Sequence, residues 1–303
     1  MLASSLARFS TSTAERCWWD EPGSYNGLSS VLSKRMKRLL SILLFTVAAA
    51  AQTNPSAAPP AIPIDQQNAA KARALIDQAI DALGGNAYLN IEDITQEGRI
   101  YSFHHGEPSG AGGLFWRMYR FPDCERIEFT KKRDIIYVYR GNEGFEITYK
   151  GVRTDDPKVV ADVIRRRNYS LDWVLRKWIH ESGIALFYDG PSVAAQKDTQ
   201  QVTLVNARNE SVSLYFDTSS HLPVKKSFSW RDPTDKERNL EEEVYDNYKP
   251  VDGVMTPYSV TRYYNGDMAS QRFLNAIHYN TGLSDALFNV GVTYDPTKQA
   301  PRR

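Results

Sequence analysis

The run His104-His105-Gly106-Glu107 is the densest local set of side chains able to hold a metal or move a proton. Adjacent residues of a strand point to opposite faces, so neighbouring histidines do not easily grip one ion. Zinc needs three or four ligands. The following Pro108-Ser109-Gly110-Ala111-Gly112-Gly113 reads as a loop, where polar residues occur without any site. No metal and no cofactor is therefore expected. The chain also has no Gly-x-Ser-x-Gly elbow, no Gly-x-x-x-x-Gly-Lys phosphate cradle, no His-Glu-x-x-His pair and no dinucleotide fingerprint. Its carboxylates and histidines are too scattered to name an acid and a base, so no catalytic residue is assigned.

What recurs instead is aromatic surface. Trp116, Tyr119, Phe129, Tyr137, Tyr139, Phe145, Trp173 and Trp178 are the candidate ligand-binding residues. On the concave face of an open barrel such side chains line a pocket for an acyl chain. In a closed sandwich they are simply core, and the pattern alone does not separate the two.

The elements that must position them are mostly strands. Aromatic and β-branched residues dominate 91–103, 113–121, 125–130, 135–139 and 145–150, then 183–188, 201–206, 211–217 and 223–230. Alternation in Phe145-Glu146-Ile147-Thr148-Tyr149 leaves one face of the sheet wet. Ala72, Leu75, Ile76, Ala79, Ile80 and Leu83 recur at helical spacing, with Asp65 or Asn68 as cap and Gly84-Gly85 as stop. A second helical stretch starts at Asp156-Pro157 and a third runs from Ser170 to His180. The first helix is either a lid or ordinary core. Arg165, Arg166, Arg167, Arg176 and Lys177 read first as a solvated face, and alternatively as a dock for anionic headgroups.

Asp252-Gly253 and Asn265-Gly266 are hairpin signals that make the last third of the chain a run of sequence-local antiparallel strands. The wording Asp246-Asn247-Tyr248-Lys249-Pro250-Val251-Asp252-Gly253-Val254-Met255-Thr256-Pro257, with Leu222-Pro223-Val224-Lys225-Lys226 upstream, resembles the periplasmic outer-membrane lipoprotein-sorting proteins, the LolA/LolB-like carriers. The resemblance spans roughly 65–290. It implies an incomplete β-barrel with helices plugging its open side, and a lipid or acylated lipoprotein as partner, with envelope membrane proteins as further partners. The fold class expected is mainly β (α+β): a curved antiparallel sheet or incomplete barrel covered by a few helices.

Lys37-Arg38, the apolar run Leu39 to Val47 and the small residues up to Ala51 form a secretory signal pattern cleaved after Ala51. The 13 residues from Leu39 to Ala51 fall short of a span, which needs ~20. Met36 suits this signal as a start, so 1–35 reads as an upstream extension and 36–51 as the signal peptide. An organellar transit peptide in Met1 to Arg16 is the rival reading. The Ala/Pro-rich stretch 52–64 reads as a tether, 65–292 as one domain and 293–303 as a tail. Gln52, not cysteine, follows the cleavage site, so no lipid anchor is expected. Cys124 is then the one mature cysteine and has no disulfide partner. The net charge of +1 becomes −2 once 1–51 are set aside, which excludes a large basic face for nucleic acid.

The reading is a monomeric, non-enzymatic carrier of a lipid or lipid-modified protein in the periplasm or secreted. An envelope interaction module with a dry core is the alternative. A periplasmic hydrolase using His104, Glu107 or another pair is the third.

Overall fold

Residues 63–291 are described in the computed structural model. The upstream extension, the signal peptide, nearly all of the tether and the tail lie outside them. Helix α1 (Ile64–Leu83) and the single turn α2 (Asn86–Leu89) precede strands β1 (Asp93–His104), β2 (Glu107–Pro108), β3 (Gly113–Arg120), β4 (Cys124–Phe129), β5 (Ile135–Arg140), β6 (Glu143–Thr148) and β7 (Gly151–Thr154). Helices α3 (Pro157–Asn168) and α4 (Leu171–Arg176), with a 3-10 turn at Trp178–His180, lead to the second half. That half comprises β8 (Ala185–Ala194), β9 (Lys197–Val205), β10 (Ser211–Asp217), β11 (Pro223–Arg231), β12 (Arg238–Val251), β13 (Val254–Tyr264) and β14 (Asp267–Tyr279), then a 3-10 turn at Asp285–Phe288.

All fourteen strands belong to one antiparallel sheet, in the order β7-β6-β5-β4-β3-β1-β14-β13-β12-β11-β10-β9-β8, with β2 paired to the end of β1. A sheet of this size twists and curls to hide its apolar face. It does not close, because β7 and β8 remain edges. These edges are consecutive along the chain, so α3 and α4 carry the backbone from one edge to the other. The helices therefore cover the side that the strands leave open, which is the mainly β, incomplete-barrel architecture expected from the sequence.

Local chemistry explains the joints. Asp252 and Gly253 have φ of 51° and 83°, and Asn265 and Gly266 have 50° and 90°, the two positive values that a tight, correctly twisting hairpin requires. Register confirms the loops, with Val251 opposite Val254 and Tyr264 opposite Asp267. A valine at 253 would be forced into left-handed backbone with its Cβ 3.3 Å from that of Ala87. Gly253→Val is expected to lower stability by about 2 kcal/mol or more in urea unfolding, and an unchanged midpoint would contradict the docking of α2 on this turn.

Asp156 caps α3 by accepting from the Lys158 amide at 2.7 Å, and Ser170 caps α4 by accepting from the Trp173 amide at 3.2 Å. Helix α1 differs from expectation. It starts after Pro63 with no side-chain cap, and Asn68 bonds the backbone of β8 instead, donating to the Tyr188 carbonyl at 2.7 Å and accepting from its amide at 2.8 Å. The reason is the edge. Tyr188 sits beside a register shift in border strand β8, which pairs with β9 on one side only, so its amide and carbonyl are free for a side chain.

The core is a single cluster in which Ala72, Ile76, Ala79 and Leu83 of α1 and Val174, Leu175 and Trp178 meet Val202, Leu204, Val212, Leu214, Phe216 and Phe228 from β9 to β11. Phe115, Tyr119 and Ile94 join it from the other half. The face they share is the inner face of the sheet.

Candidate functional site

Strand alternation and register assign every strand residue to a face. Because Phe115 and Tyr119 face inward, Arg117 between them does too. From it a row of directly opposed residues crosses the sheet: Gln96, Arg117, Ile127, Tyr137, Glu146 and Arg153. At its far end lies an open cleft of about 810 Å³, lined by Ile135, Glu146, Thr148 and Arg153 on the inner side and by Lys131, Lys132, Tyr149 and Lys150 at the hairpin tips. Phe129 is opposite Ile135, and its ring meets that of Tyr137 edge-on at 6.0 Å. Both rings are half-buried. Phe129 and Tyr137 thus stand on the strands beside the cleft, and α1 packs on the other half of the sheet, chiefly against β8 and β9.

The candidate aromatics divide into three groups. Tyr119, Tyr139 and Trp178 are buried; Tyr119 donates to the Pro122 carbonyl at 2.7 Å and Tyr139 to the Asp155 carboxylate at 3.0 Å. Phe129, Tyr137 and Trp173 are half-buried. Trp116 and Phe145 stand on the opposite face, since Trp116 is out of phase with Phe115 and Phe145 is opposite Val138, out of phase with Tyr139. That outer face is covered in part by the 3-10 turn Asp285–Phe288, where Arg126 donates to the Leu287 carbonyl at 3.2 Å and Arg120 reaches both Asp285 and the Phe288 ring.

His104 ends β1, and His105 and Gly106 form its turn with φ of 49° and 78°. The two imidazoles lie 4.3 Å apart at the hairpin tip. Among the described residues no group of three or more His, Cys, Asp or Glu side chains could hold a metal. Cys124 is half-buried, with the Arg120 guanidinium 3.7 Å from its sulfur.

The feature that strand reading passed over is a belt of charge on the inner face. Lys226 is 1% exposed, donates to the Tyr169 carbonyl at 2.7 Å and pairs with Glu243 at 2.9 Å. Tyr245 donates to the same Glu243 carboxylate at 2.7 Å. Burial pushes the Glu243 carboxyl up, but the Lys226 ammonium, the Tyr245 hydroxyl and the Arg272 guanidinium outweigh it and hold the group at about 2. Arg117 pairs with Glu125. Arg165 pairs with Glu241 at 3.1 Å and with Asp162 at 2.8 Å, stacks 3.4 Å over Trp230, and shares Glu241 with the indole N–H.

Arg165, Arg167 and Arg176 are therefore not a solvated face. Arg167 donates to the carbonyls of Asp123 and Gly141, and Arg176 to those of Leu89 and Ile91, so they fasten the helical bridge to the neighbouring loops. The sequence carried one sign of this belt: Lys226 is in phase with the apolar Val224, Phe228 and Trp230, where a wet-face residue has no place.

No family model matches the chain, and no curated protein matches it. Solved structures do. A DUF1329 family protein from Desulfovibrio piger is similar with a TM-score of 0.51 at 14% identity, covering 72% of this chain and 97% of the other. A putative outer membrane lipoprotein-sorting protein domain from Vibrio parahaemolyticus (TM-score 0.46, 12% identity) and a LolA superfamily protein from Nitrosomonas europaea (0.44, 13%) cover the same shares, 72% of this chain and 97% of theirs. At these identities the likeness is one of fold.

Proposed function

We propose that the protein is a non-enzymatic carrier of the cell envelope, acting in the periplasm, that holds a lipid or a lipid-modified polypeptide against the inner face of its open sheet. The observation that supports this reading is the cleft of about 810 Å³ that opens on the inner face, where its lining residues Ile135 and Glu146 stand opposite Phe129 and Tyr137. Its size lies within the range of ~300–1,000 Å³ typical of small-molecule sites. The apolar wall takes the acyl chain, whose methylenes each contribute ~0.8 kcal/mol on burial. A C16 chain then gains on the order of 10 kcal/mol before the ordering costs of binding. Release then requires the pocket to close or a receptor to compete for the chain.

The test is mass spectrometry of an organic extract of the protein purified from a periplasm without detergent, beside an unrelated periplasmic protein. Near-stoichiometric lipid is expected, and Tyr137→Asp should reduce it at least about tenfold with circular dichroism unchanged. An empty extract together with no uptake of added lipid would replace the carrier by an envelope interaction module.

A further inference from the structure

The inner-face belt holds more positive charge than its own carboxylates use. Glu125 is taken by Arg117, Glu243 by Lys226 and Tyr245, and Glu241 and Asp162 by Arg165. Arg166, Arg262 and Arg272 are left with no hydrogen bond or ion pair among the described residues, and the Nε atoms of Arg262 and Arg272 are buried without a partner. These residues are neighbours. Arg262 is opposite Ser270 and Arg272 opposite Val260, so the two arginines stand diagonally on the same face of β13 and β14, within reach of one another for long side chains.

Arg166 comes from α3, above the sheet. Burial lowers its pKa, and the Arg262 guanidinium lowers it further. Burial and the Arg117 guanidinium do the same to Arg272, against the opposing pull of the Glu243 and Glu125 carboxylates, which other partners already hold. Guanidiniums stay charged under all ordinary conditions, so crowding them in a half-buried site is unfavourable unless an anion shares it. Guanidinium forks fit phosphate oxygens in pairs, and a tetrahedral phosphate has enough oxygens to accept from three arginines on different elements. A single carboxylate, with about four acceptor sites, takes at most two such forks.

We infer that Arg262, Arg272 and Arg166 form a receptor for a phosphate group, on the same inner face as the cleft. This deepens the carrier reading and rests on it for the tail alone: the lipid bound is an anionic, phosphate-bearing amphiphile. Arg117 stands on the row that leads to Tyr137 and Glu146.

Calorimetric titration of the purified protein with dodecyl phosphate, dodecyl maltoside and inorganic phosphate separates the possibilities, each amphiphile being kept below its critical micelle concentration. Dodecyl phosphate is expected to bind at least about tenfold tighter than dodecyl maltoside. The preference should vanish in Arg262→Gln/Arg272→Gln and persist in Arg99→Gln/Lys158→Gln, which removes the same charge from exposed positions. Arg262→Lys/Arg272→Lys keeps the charge without the forks, and a severalfold loss is expected there even if the glutamine variant fails to fold.

Equal binding of both amphiphiles by the wild type overturns the receptor and leaves the carrier reading standing. A preference that survives Arg262→Gln/Arg272→Gln also overturns it. Binding of inorganic phosphate alone, lost in that variant, upholds the receptor with a free anion as its source and removes the carrier.

Discussion

Lys226→Ala is expected to lower the unfolding free energy by about 3–5 kcal/mol, the usual cost of removing one partner from a buried pair. The ammonium is enclosed and serves two acceptors, the Tyr169 carbonyl and Glu243. Its loss leaves the half-buried Glu243 carboxylate with Tyr245 as its one hydrogen-bond donor, and frees a carbonyl that closes the α3–α4 junction. The pair also sets acid sensitivity. The folded-state pKa of Glu243 is depressed from 4.5 to about 2, so its contribution is fully present above pH 4.5 and is lost as pH falls toward 2. That contribution is about 3 kcal/mol on the scale of 1.36 kcal/mol per pKa unit. Urea unfolding at several pH values should show this acid limb in the wild type and a flatter one in Lys226→Ala. A loss under about 1 kcal/mol at pH 7 would mean that the pair behaves as a surface ion pair.

The same residues show how far the sequence speaks. Hairpin chemistry is local, so Asp252-Gly253 and Asn265-Gly266 specify pairing and register by themselves, and the strand segments they join follow. Asp156-Pro157 and Ser170 likewise announce their helices. What stays hidden depends on contacts across the sheet. Asn68 reads as a cap because helix starts favour asparagine, yet the free backbone of an edge strand 120 positions away recruits it. Arg262 and Arg272 carry no signal in the sequence, because alternation tells which residues share a face but not which face the helices cover. Only the connection from β7 to β8 through α3 and α4 decides that, and it turns a wet stripe into an enclosed one. The short strand β7 is not legible because four residues after Tyr149-Lys150 carry too little pattern to register.

Trp178→Ala is expected to cost about 3–5 kcal/mol, as truncation of a large buried aromatic does. The indole is 1% exposed and lies edge-on to Tyr169 at 5.1 Å, which in turn stacks on Phe228 at 4.2 Å. This stack ties the bridge between the sheet's two edges to β11, so the void left by alanine opens where the helices are fastened. Tyr137 makes the opposite case. It is half-buried on the half of the inner face away from α1, and its hydroxyl donates at 3.0 Å to Glu146, which lines the cleft. Comparing Trp178→Ala with Tyr137→Asp in urea unfolding and in lipid uptake separates the two halves of the barrel. Stability should fall in the first and uptake in the second. If Trp178→Ala unfolds like the wild type but no longer takes up lipid, the space beneath α4 belongs to the ligand, and the helical bridge is a lid over it instead of its floor.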